Sequence, residues 1–232
     1  LDGNPAPSSS TPSRFWETIL AFFGRPALVL AALGRGATQL LTYGVGNFTT
    51  LFLMREKGMT LDQVAVYYAL VVGVAMSAGM VVSGRMLDRF TRRSKAAYAT
   101  LPAASLALAI PFYVGFVWTP SWHLALIFLI APMFLNYFYL ASSITLVQEE
   151  VRPDQRVMAG ALLLLVMNFI GLGLGPTYVG AASDFFHAGH PAHSLQLALY
   201  TMTPFYVIAI VLFLCLARIL RREGRSRGGL TP

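Results

Sequence analysis

The chain has 232 residues, of which 56% are hydrophobic and only 12% charged, with a formal net charge of +7 and a mean hydropathy of +0.62. A soluble domain carries about twice that share of charge, so a water-soluble globular fold is excluded and an integral membrane protein expected. The lone cysteine, Cys215, leaves no disulfide to build on.

Residues 1–13, rich in Pro and Ser, read as a disordered polar linker. The chain opens on Leu1 with no initiator Met and no signal peptide, which suggests a piece that starts within that linker. Residues 14–24 carry Phe15, Trp16, Ile19, Leu20, Phe22 and Phe23 around Glu17 and Thr18, with Ser13 in place to cap. That composition predicts a short helix lying on the membrane interface.

Six stretches follow that are long and apolar enough to span a bilayer: roughly Pro26–Met54, Val64–Val82, Ala96–Trp118, Leu124–Val147, Val157–Ala182 and Leu195–Ala217. A hydrocarbon core about 30 Å thick needs about 20 helical residues. The runs are too long and continuous for barrel strands, and backbone groups in lipid must be bonded within their own segment. The expected fold class is an all-α membrane protein, with residues 25–217 as a bundle of six transmembrane helices and 218–232 as a basic tail.

Six spans put both termini on one side. That side receives Arg14, Arg25, Arg85, Arg89, Arg92, Arg93 and Lys95, then Arg152, Arg156 and the five arginines from Arg218 to Arg227. The other side receives only Arg55 and Lys57, and Arg35 lies within the first span. The positive-inside rule places both termini in the cytoplasm of an inner (plasma) membrane protein. The net charge then reflects topology and anionic headgroups of the lipid bilayer, and no nucleic acid is required. On the opposite side, Trp118–Trp122 forms a tight turn with an interfacial Trp at each end. The longer Asp184–Ser194 loop spaces His187, His190 and His193 at intervals of three. Gly189 and Pro191 break any single helical face there, so a solvated loop is expected and no metal site. No cofactor is implied anywhere in the chain.

Polar residues inside the spans are the candidate site. Arg35, Thr38, Gln39, Thr42, Tyr43, Thr49 and Thr50 fall on one face of the first span. No acid within the spans pairs with Arg35, and an intramembrane cation is costly unless paired or wet. Three outcomes stay open: an acid outside this chain, an anionic substrate, or snorkelling along the roughly 13 Å back to the interface. The fourth span adds Asn136, Tyr139 and Ser143, with Tyr137 beside them and Pro132 one turn earlier, and the fifth adds Asn168. Each of these lines a substrate cavity or hydrogen-bonds between helices. In the fifth span, Gly171, Gly173, Gly175 and Pro176 predict a kink serving as hinge or packing seam.

Between the second and third spans the chain reads Gly84-x-x-x-Asp88-Arg89-x-x-Arg92-Arg93, and the fifth span reads Asn168-Phe-Ile-Gly171-Leu-Gly173-Leu-Gly175-Pro176-x-x-x-Gly180-x-x-Ser183-Asp184. Before the latter stands Arg152-Pro153-x-x-Arg156-x-x-Ala159-x-Ala161. Together these resemble the C-terminal six-helix half of major facilitator superfamily transporters, in particular spinster-like bacterial members. The resemblance covers about residues 14–220, with Thr91 standing where the loop signature often has a second Gly. It implies twelve helices in two halves, with the N-terminal six-helix half as partner. It also implies that Gly84, Asp88, Arg89, Arg92 and Arg93 form a conformational latch, where the bland reading makes the cations topology signals. Gly84 would let the end of the second span approach a neighbour closely.

The expected function is secondary active transport of a small-molecule substrate by alternating access, ion-coupled as symport or antiport. Lipid-like and anionic amphipathic solutes are the classes the resemblance suggests. The alternative is a self-assembling six-helix half acting as a homodimer. An intramembrane enzyme is not expected, because the spans hold neither a nucleophile with a base nor a pair of acids.

Overall fold

A computed structural model describes the backbone of residues 12–228 and the side chains of 16–223. The linker expected over 1–13 therefore lies mostly outside the described residues, as does the end of the basic tail. Helix α1, Pro12–Phe23, starts ahead of Ser13, so that residue sits inside the first turn and not before it. Six long helical segments follow: α2, Pro26–Arg55, then α3, Leu61–Thr91, α4, Ala97–Trp118, α5, Trp122–Glu150, α6, Pro153–His187, and α7, Ser194–Glu223. Among the described residues there is no strand. Several helices run past the apolar stretch that announced them. α3 continues through the basic loop signature to Thr91, and α6 takes in Asp184 and His187, because helical hydrogen bonding continues into the interface where hydropathy has already dropped.

Five of the six, α3 to α7, hold a window apolar enough to cross a membrane by itself; α2 does so only when joined to α1. Length is not the reason, since 30 residues make about 45 Å of helix. The polar residues between Arg35 and Asn47 lower its hydropathy. α2 is the central helix of the bundle, packed on α5, α6 and α7, and protein shields its Arg35, Thr38, Gln39 and Thr49. α1 meets it at 82° across Gly24 and Arg25. One face of α1 docks Phe22 into a cluster with Leu28, Val147 and Leu163, while Trp16, Leu20 and Phe23 stay exposed.

Three of the spans are broken, each for a local reason. α3 opens on a capping box, in which the Thr60 hydroxyl accepts from the Gln63 amide and Gln63 accepts from the Thr60 amide. It then passes through a π-helical turn at Val64–Tyr68. α5 is interrupted at Asn136 and Tyr137, one turn after Pro132. In α6 the expected proline kink takes a more specific form. A π-helical turn over Phe169–Leu174 precedes Gly175, and Pro176 then opens a fresh α-helix at a position where no amide is needed.

The connections sort to two ends, as the alternation of spans requires. At one end, Arg25 donates to the Glu150 carbonyl, Lys95 pairs with Glu150 at 3.5 Å, and the Tyr98 hydroxyl donates to Glu149. At the other end, the Glu56 carboxylate accepts from the Leu195 and Gln196 amides at 2.8 and 3.0 Å, capping the start of α7 from a different helix. Lys57 beside it donates to the carbonyls of Val117 and Thr119 that end α4. Glu56→Ala removes two charge-assisted bonds to helix-opening amides, and a loss of about 1–2 kcal/mol is expected. Thermal unfolding in detergent reads it, and Glu56→Gln, which keeps one acceptor oxygen, is expected to fall between.

Lys57 also carries a pH signature. Its ammonium is buried, and burial lowers its pKa from the ordinary value of 10.5, with neighbouring Glu56 opposing the shift. Below the lowered value the lysine is charged in both folded and unfolded chains, and the full cost of burying the charge is present. Between that value and 10.5 the folded protein has released a proton that the unfolded chain still holds, so stability rises with pH in this window. The neutral amine still offers two donors to the two carbonyls. Lys57→Met is expected to flatten the alkaline rise in melting temperature, read in parallel pH series of the two proteins.

Candidate functional site

The residues singled out within the spans divide into a buried cluster and an accessible face. Arg35 is 1% exposed. Its Nε lies 2.7 Å from Met167 Sδ, its Nη1 lies 3.5 Å from the Leu140 carbonyl, and the guanidinium carbon is 5.7 Å from the Tyr139 ring centre. No carboxylate among the described residues pairs with it. Snorkelling is thereby ruled out for this conformation: the side chain points into the space between α2, α5 and α6, not along α2 to the interface. Gln39 accepts from the Tyr139 hydroxyl beside it.

Two buried oxygens in the same region, Ser143 Oγ and Asn136 Oδ1, have no hydrogen-bond partner among the described residues, although Asn136 Nδ2 donates to the Tyr206 hydroxyl at 3.1 Å. The threonines of the stripe satisfy themselves. Thr38 donates to Gly34, Thr42 to Thr38, and Thr49 to Val45, each one turn back. Thr38 and Thr49 are fully buried, so the stripe predicted from periodicity is in good part an interior seam.

The accessible part begins one turn further along. Thr42 and Tyr43 are half-buried, and Asn47 is exposed with Nδ2 on the Tyr43 carbonyl. Tyr137, at the break in α5, lies within electrostatic reach of Tyr43 and Tyr68, and its hydroxyl is 3.2 Å from Met76 Sδ. Tyr68 in turn lies beside Thr49. Tyr68 and Met76 carry no motif and lie within an apolar run, and the π-helical turn at Val64–Tyr68 has no sequence signal. Asn168 is exposed on α6, apart from this group, with Nδ2 on the Leu164 carbonyl.

The glycines behave unequally. A Cβ at Gly175 would fall 2.7 Å from the Leu40 carbonyl oxygen and 3.0 Å from the Gly44 amide, and one at Gly171 would collide with Gln39. α6 and α2 therefore touch backbone to backbone. Gly173 has open space within 4 Å, so it takes no part in that seam. Gly84 likewise meets nothing, and the close approach expected of it is made by Gly79, whose Cβ would strike the Phe134 carbonyl. Gly79 sits on the buried face of α3, whereas Gly84 is rotated away from it. At the basic end, Asp88, Arg89, Arg92 and Arg93 are all exposed. The described ion pairs there join Lys95 to Glu149 and Glu150 and do not include Asp88. Among the described residues no cluster of His, Cys, Asp or Glu has metal-site geometry.

Comparison with known proteins gives one consistent answer. No family model matches the chain. Over 184 residues, 79% of the chain, it is 28% identical to an MFS-type efflux pump of Mycolicibacterium smegmatis and spans 42% of that protein. Its fold matches the crystal structure of a bacterial homologue of the human lysosomal transporter Spinster, inward-facing and unoccupied, with a TM-score of 0.81 and 25% identity. That match covers 95% of this chain and 54% of the other. The inward-facing, occupied structure matches with a TM-score of 0.76 at 24% identity, covering 85% and 50%. The chain thus spans about half the length of the relatives it matches, and those relatives are transporters, not enzymes.

Proposed function

We propose that this chain, a multi-pass membrane protein with the fold of a spinster-like major facilitator superfamily half, supplies the C-terminal six helices of a secondary transporter for an amphipathic organic anion. α2 carries the reading. Alone among the six long helices it lacks a window apolar enough to span by itself, it is central, and it holds a buried guanidinium beneath a half-open face of Thr42, Tyr43, Asn47 and Tyr137. An exposed asparagine midway along a spanning helix faces water or protein, not lipid. The tyrosines present aromatic surface with a polar tip, suited to a solute that is apolar at one end. Arg35 behind them gives that face a positive potential, strengthened by the low dielectric around it.

The N-terminal half closes the cavity from the other side, and rocking of the halves alternates its access. The tight α2–α6 seam at Gly44 and Gly175 makes these helices move together, with the π-helical turn before Pro176 as the place where α6 bends. The charged segment at the end of α3, Gly84–Arg93, would lie on the cytoplasmic side, where Asp88 and Arg92 would bridge to the N-terminal half in one access state. α1 lies on the same interface, its exposed Trp16, Leu20 and Phe23 toward lipid. No Asp, Glu or His lies in the apolar interior of the spans, so the carrier for a coupling proton would come from the other half.

Uptake by the full-length protein in liposomes tests this. A fluorescent amphipathic organic anion is expected to accumulate under an imposed proton gradient, and to stop accumulating when an ionophore collapses it. Equal uptake of an uncharged analogue, or uptake indifferent to every ion gradient, would contradict the proposal.

A further inference from the structure

A groove unrelated to the α2 face opens at the basic end of the bundle, between α3, α4 and α7. It has a volume of about 370 Å³, and Arg93 and Arg221 line it together with Met86, Phe90, Leu101 and Ala104. A second groove of about 290 Å³ shares Met86, Leu101 and Ala104 with it and continues along α3 toward Leu108 and Phe138. The one hydroxyl on its wall among the described residues, that of Ser105, donates to the Pro102 carbonyl, so this lower part offers an occupant no hydrogen-bond donor. The two grooves exist because α3 and α4 meet sparsely, whereas α4 is packed extensively on α5 and α7. Neither Arg93 nor Arg221 has a carboxylate within ion-pair distance among the described residues.

We infer that this continuous groove is a binding site for an anionic diacyl phospholipid, its phosphate between Arg93 and Arg221 and an acyl chain along Met86, Leu101 and Leu108. The charge complementarity favours a lipid over an apolar segment of protein. Two guanidiniums at the mouth match a headgroup phosphate as forked donors, and the interior below them accepts only hydrocarbon. The arrangement also has the vertical order of a bilayer leaflet, with cations at the helix ends and the apolar channel running inward. It holds for either orientation of the protein and does not depend on the transport reading.

Native mass spectrometry of the full-length protein with dioleoyl phosphatidylglycerol or dioleoyl phosphatidylcholine tests it. The wild type is expected to retain the anionic lipid preferentially. Arg93→Gln with Arg221→Gln is expected to weaken that binding by about five-fold for each arginine, while Arg152→Gln with Arg156→Gln, which removes the same charge elsewhere at that end, leaves it intact. Ala104→Trp fills the shared floor and is expected to displace the lipid with both arginines present. Glycerophosphoglycerol, the headgroup without its chains, is not expected to compete. Equal retention of the two lipids, or an unchanged preference in the Arg93/Arg221 variant, would overturn the assignment. So would an Ala104→Trp protein that keeps its lipid but loses the contact between its two halves, since the groove would then belong to the other half.

Discussion

Replacing Arg35 by methionine is expected to raise the melting temperature of the protein and to cut transport of a dilute organic anion about thirty-fold. Both effects come from one fact: the guanidinium is 1% exposed and has a thioether, a distant carbonyl and a ring face for company, with no carboxylate paired to it among the described residues. Burying a cation on such terms costs several kcal/mol, and an apolar side chain of similar length at the same place is often more stable. The charge is nevertheless worth keeping if an anion arrives nearby. At an effective dielectric near 20, a unit charge roughly 8 Å from the solute contributes about 2 kcal/mol, or about thirty-fold in affinity. Arg35→Lys keeps that field and is expected to retain a good part of transport. Thermal unfolding in detergent and uptake by proteoliposomes read the two halves of the prediction separately. A methionine variant that unfolds would make Arg35 a structural strut, and one that transports normally would place the solute's route elsewhere.

The second large effect concerns backbone contact between helices. Gly79→Ala puts a methyl group against the Phe134 carbonyl, and Gly175→Ala puts one between the Leu40 carbonyl and the Gly44 amide. Neither obstacle is a side chain that can swing away, so helices must separate. Overpacking of this kind costs about 1–3 kcal/mol and occasionally more. Gly84→Ala and Gly173→Ala meet open space and are expected to leave the melting temperature nearly unchanged, or to raise it slightly through better helix propensity. The four variants measured side by side in detergent give the contrast. Equal losses at Gly79 and Gly84 would contradict the packing described.

The fold was legible in the sequence because its signal is cumulative. Twenty apolar residues in a row leave a bilayer helix little alternative, and all six segments from Pro26 onward appear where the apolar runs lie. The sorting of loops to two ends was equally legible, since each span reverses direction: Glu56 meets Leu195, and Lys95 meets Glu150, on opposite ends as counted. What periodicity could not tell was which side of a polar stripe faces a neighbour. Arg35, Thr38 and Tyr43 share one face of α2 by angle alone. Arg35 and Thr38 are sealed by α5 and α6, while Tyr43 remains accessible, because neighbouring helices cover the face unevenly along its length. Glycine roles were read from motif position, yet Gly79, with no motif, makes the contact expected of Gly84. Tyr68 owes its place to a π-helical turn that composition does not record, and Tyr137 to a helix break that Pro132 signals only one turn away.

The central claim is that the face of α2 bearing Tyr43 and Asn47 borders water inside the membrane. The direct test is labelling of Asn47→Cys in a Cys215→Ser background of the full-length protein, in membranes, with a membrane-impermeant maleimide. Ile127→Cys, at an exposed apolar position on α5, serves as the lipid-facing reference. Asn47→Cys is expected to react with the impermeant reagent, while Ile127→Cys reacts only with a lipid-soluble one. If Asn47→Cys behaves like Ile127→Cys, that face of α2 lies in lipid and the proposed cavity is contradicted.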